Sequence, residues 1–290
     1  MVIGKPLRIS KEHIEQAVGS ALAEDLASGD ITTDLLVQSD LVGKASILVK
    51  RDGVLAGIDV AKEVFRQVDP SLHFKALVRD GAKVRKGDVV ATVEGKVASI
   101  LRAERTALNF LQHLSGIATE TARYVDAVSG TKAIITDTRK TIPGLRLLEK
   151  YGVRAGGGRN HRLNLGDGVL IKDNHLVALR SSGVGLGEAV KQARERAPRA
   201  MKVEIEVESV KQAREALSAG ADIIMLDNMN VKDMRRVVEL VQGRALLEAS
   251  GGITLDNVRS VAEAGVDLIS VGTLTHSAKA LDISVEVDPG

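Results

Sequence analysis

The feature that most narrows the fold is a regular alternation that begins after residue 130. Short apolar runs at 133–138 (AIITDT), 168–173 (GVLIKD), 202–208 (KVEIEVE), 222–227 (DIIMLD), 245–250 (ALLEAS) and 267–272 (DLISVG) read as strands. Stretches with helical spacing lie between them, at about 187–196, 209–219, 231–242 and 255–264. Three of these helices run into a glycine (Gly220, Gly243, Gly265), the usual residue just past a helix C-terminus. Parallel neighbours can be joined only through a crossover, so repeated strand–helix units of this length predict parallel strands covered by helices. The reading favours a closed β/α barrel with fewer than eight strands, and an open doubly wound sheet is its rival.

The preceding part of the 290-residue chain has another texture. Residues 1–40 read as helical, with Ser10 as cap ahead of Ile14, Val18, Leu22 and Leu26. From 41 to about 100, short strands are broken by Asp-Gly and Lys-Gly-Asp turns. Within them, residues 78–101 resemble a lipoyl or biotinyl carrier hairpin with Lys96 at its turn. The methionine that flanks a modified lysine is missing, so the likeness is one of fold only. Residues 102–128 predict a strong amphipathic helix through Leu108, Leu111, Ile117, Ala118, Ala122 and Val125.

Composition removes several classes of function. The absence of cysteine excludes disulfides, thiolate metal sites and cysteine nucleophiles. A net charge of +2 and five aromatic residues without Trp argue against nucleic-acid binding, which needs a basic surface or stacking platforms. No apolar run approaches the ~18 residues of a membrane span, and the N-terminus lacks an apolar signal core, so the expectation is a soluble, cytoplasmic protein.

In a β/α barrel, chemistry belongs to the C-terminal ends of the strands. Polar residues stand there on strand after strand: Thr138, Arg139 and Lys140; Lys172 and Asp173; Glu206; Asp227; Glu248 and Ser250; Gly272 and Thr273. In KVEIEVE, alternation puts Val203, Ile205 and Val207 on one face and Glu204, Glu206 and Glu208 on the other. If the apolar face meets the helices, the glutamates enter the barrel, where carboxylates need cations or a metal. An edge strand with one solvated face is the alternative. Glu206 stands out as the best single carboxylate.

Cations are concentrated nearby. Arg139, Lys140, Arg146, Lys150, Arg154, Arg159, Arg162 and Lys172 fall between 139 and 172 against only Glu149 and Asp167, a local excess of +6, with His161 among them. Such a cluster suits phosphate, pyrophosphate or a dicarboxylate; a surface patch or oligomer contact is the plainer reading. Ser250-Gly251-Gly252 before a helix expected near Leu255, and Val271-Gly272-Thr273 after the last strand, suit phosphate binding by backbone N–H groups.

These residues, with ERTALNFLQHLSGIAT at 104–119, TDTRKTIPGLRLLEKYGVRAGGGRNHRLNLGDGVLIKDNH at 136–175, EVE at 206–208, LDN at 226–228, EASGGI at 248–253 and SVGTLTHS at 270–277, resemble quinolinate phosphoribosyltransferases, the type II phosphoribosyltransferases that decarboxylate their substrate. The resemblance spans essentially the whole chain. It implies an N-terminal α/β sandwich (1–115, joined by 276–290) and an incomplete, TIM-like β/α barrel (116–275). It also implies a homodimer with an active site shared across the interface, or a hexamer. Quinolinate and 5-phosphoribosyl 1-pyrophosphate would give nicotinate mononucleotide, pyrophosphate and CO2 for de novo NAD synthesis, with Mg2+ as cofactor. The residues it implies are Thr138, Arg139, His161, Arg162 and Lys172 for quinolinate, Arg105 from the partner subunit, and Lys140 for pyrophosphate or the ring carboxylate. Glu206 and Asp227 would meet ribose and Mg2+, and the Ser250–Gly252 and Val271–Thr273 backbones the 5-phosphate. A paralogue acting on another aromatic acid, or a non-catalytic anion-binding or carrier protein, are the alternatives.

Overall fold

A computed structural model describes residues 9–288, so residues 1–8 of the expected helical start lie outside the described residues. The chain divides into two compact units. One comprises the described parts of Pro6–Ala122, Thr141–Gly157 and Leu274–Gly290; the other comprises Arg123–Lys140 and Gly158–Thr273.

In the first unit, α1 (Lys11–Asp25) begins as expected: extended Ser10 accepts the His13 N–H at 3.3 Å. There follow α2 (Ile31–Leu36), β1 (Val42–Val49), β2 (Gly53–Val54), α3 (Ile58–Val68), β3 (His73–Ala76), β4 (Lys83–Val84) and β5 (Val89–Lys96). β5 passes directly into the long helix α4 (Val97–Ala127). Lys96 is therefore not at the tip of a hairpin, and the carrier-like likeness fails. The residues after it, rich in Ala, Leu, Arg and Glu, favour helix over a second hairpin strand.

The second unit holds the alternation. β6 (Ile134–Thr136) is followed by α5 (Arg146–Ala155), which belongs to the first unit, and then by β7 (Val169–Ile171), α6 (Asp173–Arg180) and α7 (Leu186–Arg196). β8 (Val203–Val207), α8 (Val210–Ser218), β9 (Ile223–Asp227), α9 (Val231–Val241), β10 (Leu246–Ser250), α10 (Val258–Glu263) and β11 (Leu268–Ser270) continue it, followed by α11 (Thr273–His276), which from Leu274 onward belongs to the first unit. The six strands form one parallel sheet in the order β6-β11-β10-β9-β8-β7. The first strand lies beside the last, which is barrel order and not the reversal of a doubly wound sheet.

The barrel is incomplete, not closed. No ladder joins β6 to β7; a single bridge at Thr136 and Arg159 stands beside β6, with the Arg159 N–H donating to Ile135 at 2.9 Å and its carbonyl accepting from Asp137 at 3.1 Å. α10 also starts three residues later than expected. Asn257 organises the preceding turn, accepting the Thr254 N–H at 2.9 Å and donating to the Gly252 carbonyl at 2.8 Å.

The chain's last strand, β12 (Ile283–Asp288), returns to the first unit and pairs antiparallel with β1, giving the sheet order β12-β1-β5-β3. Ile47, Val64, Phe65, Val93, Leu111 and Ile283 form part of that unit's apolar core.

Candidate active site

Parallel strands paired in register turn partner residues to the same side. Glu206 is opposite Met225 and Ser250 opposite Asp227, so Glu206, Asp227 and Ser250 share the barrel-facing side with Glu204 and Glu248. On the other side, Val203, Ile205, Val207, Leu247 and Ala249 are buried. The inward reading of KVEIEVE holds for Glu204 and Glu206, since β8 lies between β7 and β9 and is no edge. It fails for Glu208. The strand ends at Val207, and exposed Glu208 gives its N–H to Gln212 at the start of α8, at 2.8 Å.

Around the strand ends, Lys172 forms an ion pair with Glu206. The Lys140 N–H donates to the Thr138 hydroxyl at 3.0 Å, turning the chain sharply after β6. Arg162 reaches the Gly168 carbonyl at 3.4 Å. Burial, followed by the charge of Arg139, lowers the proton affinity of Arg162; two guanidiniums held within mutual influence form a seat for a dianion.

The run of cations in sequence is not one patch. Arg146, Lys150 and Arg154 lie on α5 in the first unit, where Lys150 is fully buried, whereas Arg139, Lys140, Arg159, Arg162 and Lys172 belong to the barrel unit. Arg105 lies on α4 in the first unit, with its side chain exposed. Among the residues singled out in sequence for substrate, all but Arg105 belong to the barrel unit.

His161 sits deeper than its basic neighbourhood suggested. It is 7% exposed, and its Nε2 lies 3.2 Å from Glu204 and 3.5 Å from Glu248, which are 3% and 0% exposed. Its Nδ1 accepts the Arg162 N–H at 2.9 Å. Burial lowers the proton affinity of the imidazole, but the two carboxylates outweigh it and raise the pKa to about 10. Burial and the charge of Glu248 raise Glu204 as well. The imidazole and Glu204 thus compete for protons at one buried spot, and the Arg162 N–H directed at Nδ1 leaves Nε2 as the nitrogen that faces the carboxylates. Asp137, also fully buried, accepts the His161 N–H at 2.8 Å and the Asn160 side chain at 2.6 Å. The sequence reading passes over Asp137; it turns Glu204 inward and counts Glu248 among the strand-end polar residues, but joins neither to His161. Same-parity positions on nearby inward faces were the signal that could have joined them.

At the end of β10, Gly251 and Gly252 adopt consecutive positive φ angles of +83° and +61°. Such a turn exposes successive N–H groups to an anion. A side chain at Gly251 would overlap Asn228, whose N–H donates to the Ser250 carbonyl at 2.9 Å and whose amide donates to Asp227 at 2.9 Å. Val271 is tied to β6 by its N–H, 2.9 Å from the Thr136 carbonyl.

Fold and site together define a barrel protein whose strand ends combine a group of cations and glycine turns with a pair of acids. Comparison with known proteins makes this specific. Family models for the N-terminal and C-terminal domains of quinolinate phosphoribosyl transferase match residues 30–115 and 117–286, and the chain belongs to that family. It is 44% identical to a probable nicotinate-nucleotide pyrophosphorylase [carboxylating] of Bacillus subtilis, over 95% of this chain and 93% of the relative. It is 45% identical to the nicotinate-nucleotide pyrophosphorylase [carboxylating] of Mycobacterium leprae, over 92% and 94%. The crystal structure of NadC from Streptococcus pyogenes superposes with a TM-score of 0.92 at 42% identity, covering 98% of this chain and 99% of that one.

Proposed function

We propose that this chain is a quinolinate phosphoribosyltransferase, converting quinolinate and 5-phosphoribosyl 1-pyrophosphate to nicotinate mononucleotide, pyrophosphate and CO2. The observation that carries the reading is the meeting of Arg139, Arg162 and Lys172 with the inward carboxylates Glu206 and Asp227 on one set of strand ends. A substrate with two carboxylates needs the first group; a ribose that develops positive charge needs the second.

Arg139, Arg162 and Lys172 grip the diacid, with His161 behind Arg162 and Thr138 shaping the turn beneath Arg139. Lys172 exchanges its contact with Glu206 for a substrate carboxylate, which releases Glu206 toward the ribose. Arg105 comes from the partner subunit of a homodimer, and Lys140 meets pyrophosphate or the ring carboxylate. The backbones of Ser250, Gly251 and Gly252 and of Val271, Gly272 and Thr273 hold the 5-phosphate.

As the ring nitrogen attacks ribose C1 and the bond to pyrophosphate breaks, the sugar acquires oxocarbenium character. Glu206 and Asp227 stabilise that charge electrostatically. The nitrogen, now ribosylated and positive, stabilises the carbanion left when the neighbouring carboxylate departs as CO2, and that carbanion takes up a proton. Binding and exclusion of water do the work, so no covalent nucleophile is needed. Glu206 and Asp227 offer hard carboxylate oxygens that suit Mg2+, which binds through one or two carboxylates together with substrate phosphates. When bound, it supplies neutralisation of the departing pyrophosphate. The reading includes a cytoplasmic setting; among the described residues no helix is long and apolar enough to cross a membrane.

Turnover on a panel of aromatic acids tests the substrate. Quinolinate alone should be consumed at an appreciable rate with phosphoribosyl pyrophosphate and Mg2+. Preference for another acid would instead assign the chain to a paralogous activity.

A further inference from the structure

The barrel is open between β6 and β7, and its least explained polar residues gather there. Residues 159–162 cross beside β6. Arg159 bridges to Thr136, Asn160 and the His161 N–H are held by Asp137, and the Arg162 N–H is held by the His161 ring. The far side of that ring faces Glu204 on β8 and Glu248 on β10. A four-residue segment is therefore pinned between one strand end and two carboxylates from across the barrel, where a ladder would otherwise close it.

The arrangement costs stability. Buried carboxylates matched only by an imidazole are worse for folding than apolar residues of similar size, such as the Leu247 and Ile205 that face the helices from the same two strands. Among the described residues, His161 is the one basic side chain within ion-pair distance of Glu248. Both oxygens of Glu248 and one of Glu204 are buried without a hydrogen bond. With Nδ1 accepting from the backbone and the Nε2 proton turned to the carboxylates, the imidazole faces protein at both nitrogens.

We propose that Glu204 and Glu248 are positioning residues for diacid recognition: through His161 they hold residues 159–162 across the barrel opening and so set where the Arg162 guanidinium meets its carboxylate. The inference rests on the reading of the chain as a quinolinate phosphoribosyltransferase. It assigns His161 to the support of Arg162 and not to direct contact with substrate.

The test is steady-state kinetics on the full chain in its native assembly, comparing wild type with Glu248→Gln, Glu204→Gln and, as control, the exposed Glu208→Gln. Each interior variant should raise KM for quinolinate about ten-fold or more while KM for phosphoribosyl pyrophosphate stays within about two-fold, and the control should match wild type. A second measurement does not depend on the variants folding. In a 15N-histidine spectrum of wild type, the ring-nitrogen shifts of His161 should stay unchanged when quinolinate is added. Wild type active with quinolinate KM unchanged in both interior variants overturns the inference alone. So do an equal rise in both KM values, a quinolinate-induced change in the ring-nitrogen shifts of His161, or a tightly bound metal that the variants lose. A wild type inert on quinolinate overturns the proposed function, and this inference with it.

Discussion

Gly251 and Gly252 make a paired prediction, because they differ in surroundings while sharing a backbone conformation. Both have positive φ, so Gly→Ala at either costs about 1–2 kcal/mol of left-handed strain. At Gly252 nothing lies within 4 Å of an added Cβ, and strain is the whole penalty. At Gly251 the Cβ would stand 2.6 Å from Asn228 Cγ and 3.0 Å from its N, and closer still to Oδ1. Asn228 must then shift, loosening its bonds to Ser250 and to the Asp227 carboxylate. A lost neutral hydrogen bond and a lost one to a charged group bring the total for Gly251→Ala to about 3–6 kcal/mol. Urea unfolding of the two variants should separate them accordingly. Kinetics should separate them too: Gly251→Ala should raise KM for phosphoribosyl pyrophosphate about ten-fold or more, because it disturbs both the phosphate turn and Asp227. Equal destabilisation, or a Gly251→Ala enzyme with unaltered KM, would refute the role given to this turn.

Three other expectations follow from the same geometry. Glu206→Gln should lower kcat about 10²-fold with little change in quinolinate KM, measured by steady-state kinetics, since the charge it removes matters most as the ribose becomes cationic. Tyr151 donates to half-buried Asp80 at 2.6 Å, so Tyr151→Phe should cost about 1.5–3 kcal/mol at neutral pH in urea unfolding. Burial and then Asp80 raise the Tyr151 pKa; its stabilisation is complete below the ordinary tyrosine pKa and is lost as pH climbs beyond about 10, so on the alkaline side of neutrality the wild-type advantage over the variant should shrink only there. If the site is shared across a homodimer, Arg105→Ala and Lys172→Ala should each be inactive, yet mixing them under subunit exchange should restore part of the activity; no recovery would contradict the sharing.

The architecture of the barrel was legible because its period is short and local. Each strand from β6 to β11 falls inside an apolar run, and Gly220, Gly243 and Gly265 take the positive φ expected of helix ends. The opening between β6 and β7 was not legible from that period, since nothing in a run of apolar residues tells whether the first and second strands meet. The cation run misled for a related reason. Residues 141–157 fold with the first unit, so Arg146, Lys150 and Arg154 leave the barrel even though they neighbour Arg139 in sequence. The interior glutamates were half legible: alternation turned Glu204 and Glu206 inward, but their different fates depend on depth. Glu206, near the strand end, reaches Lys172, whereas Glu204 meets a histidine 43 positions away in the chain. Lys96 failed as a hairpin tip because helix propensity takes over at the next residue.

The most direct measurement uses quinolinate labelled in the carboxylate adjacent to the ring nitrogen. Incubated with this protein, phosphoribosyl pyrophosphate and Mg2+, it should release labelled CO2 in equal amount with nicotinate mononucleotide and pyrophosphate. Retention of the label in quinolinate, or a ribosylated product that keeps both carboxylates, would contradict the account.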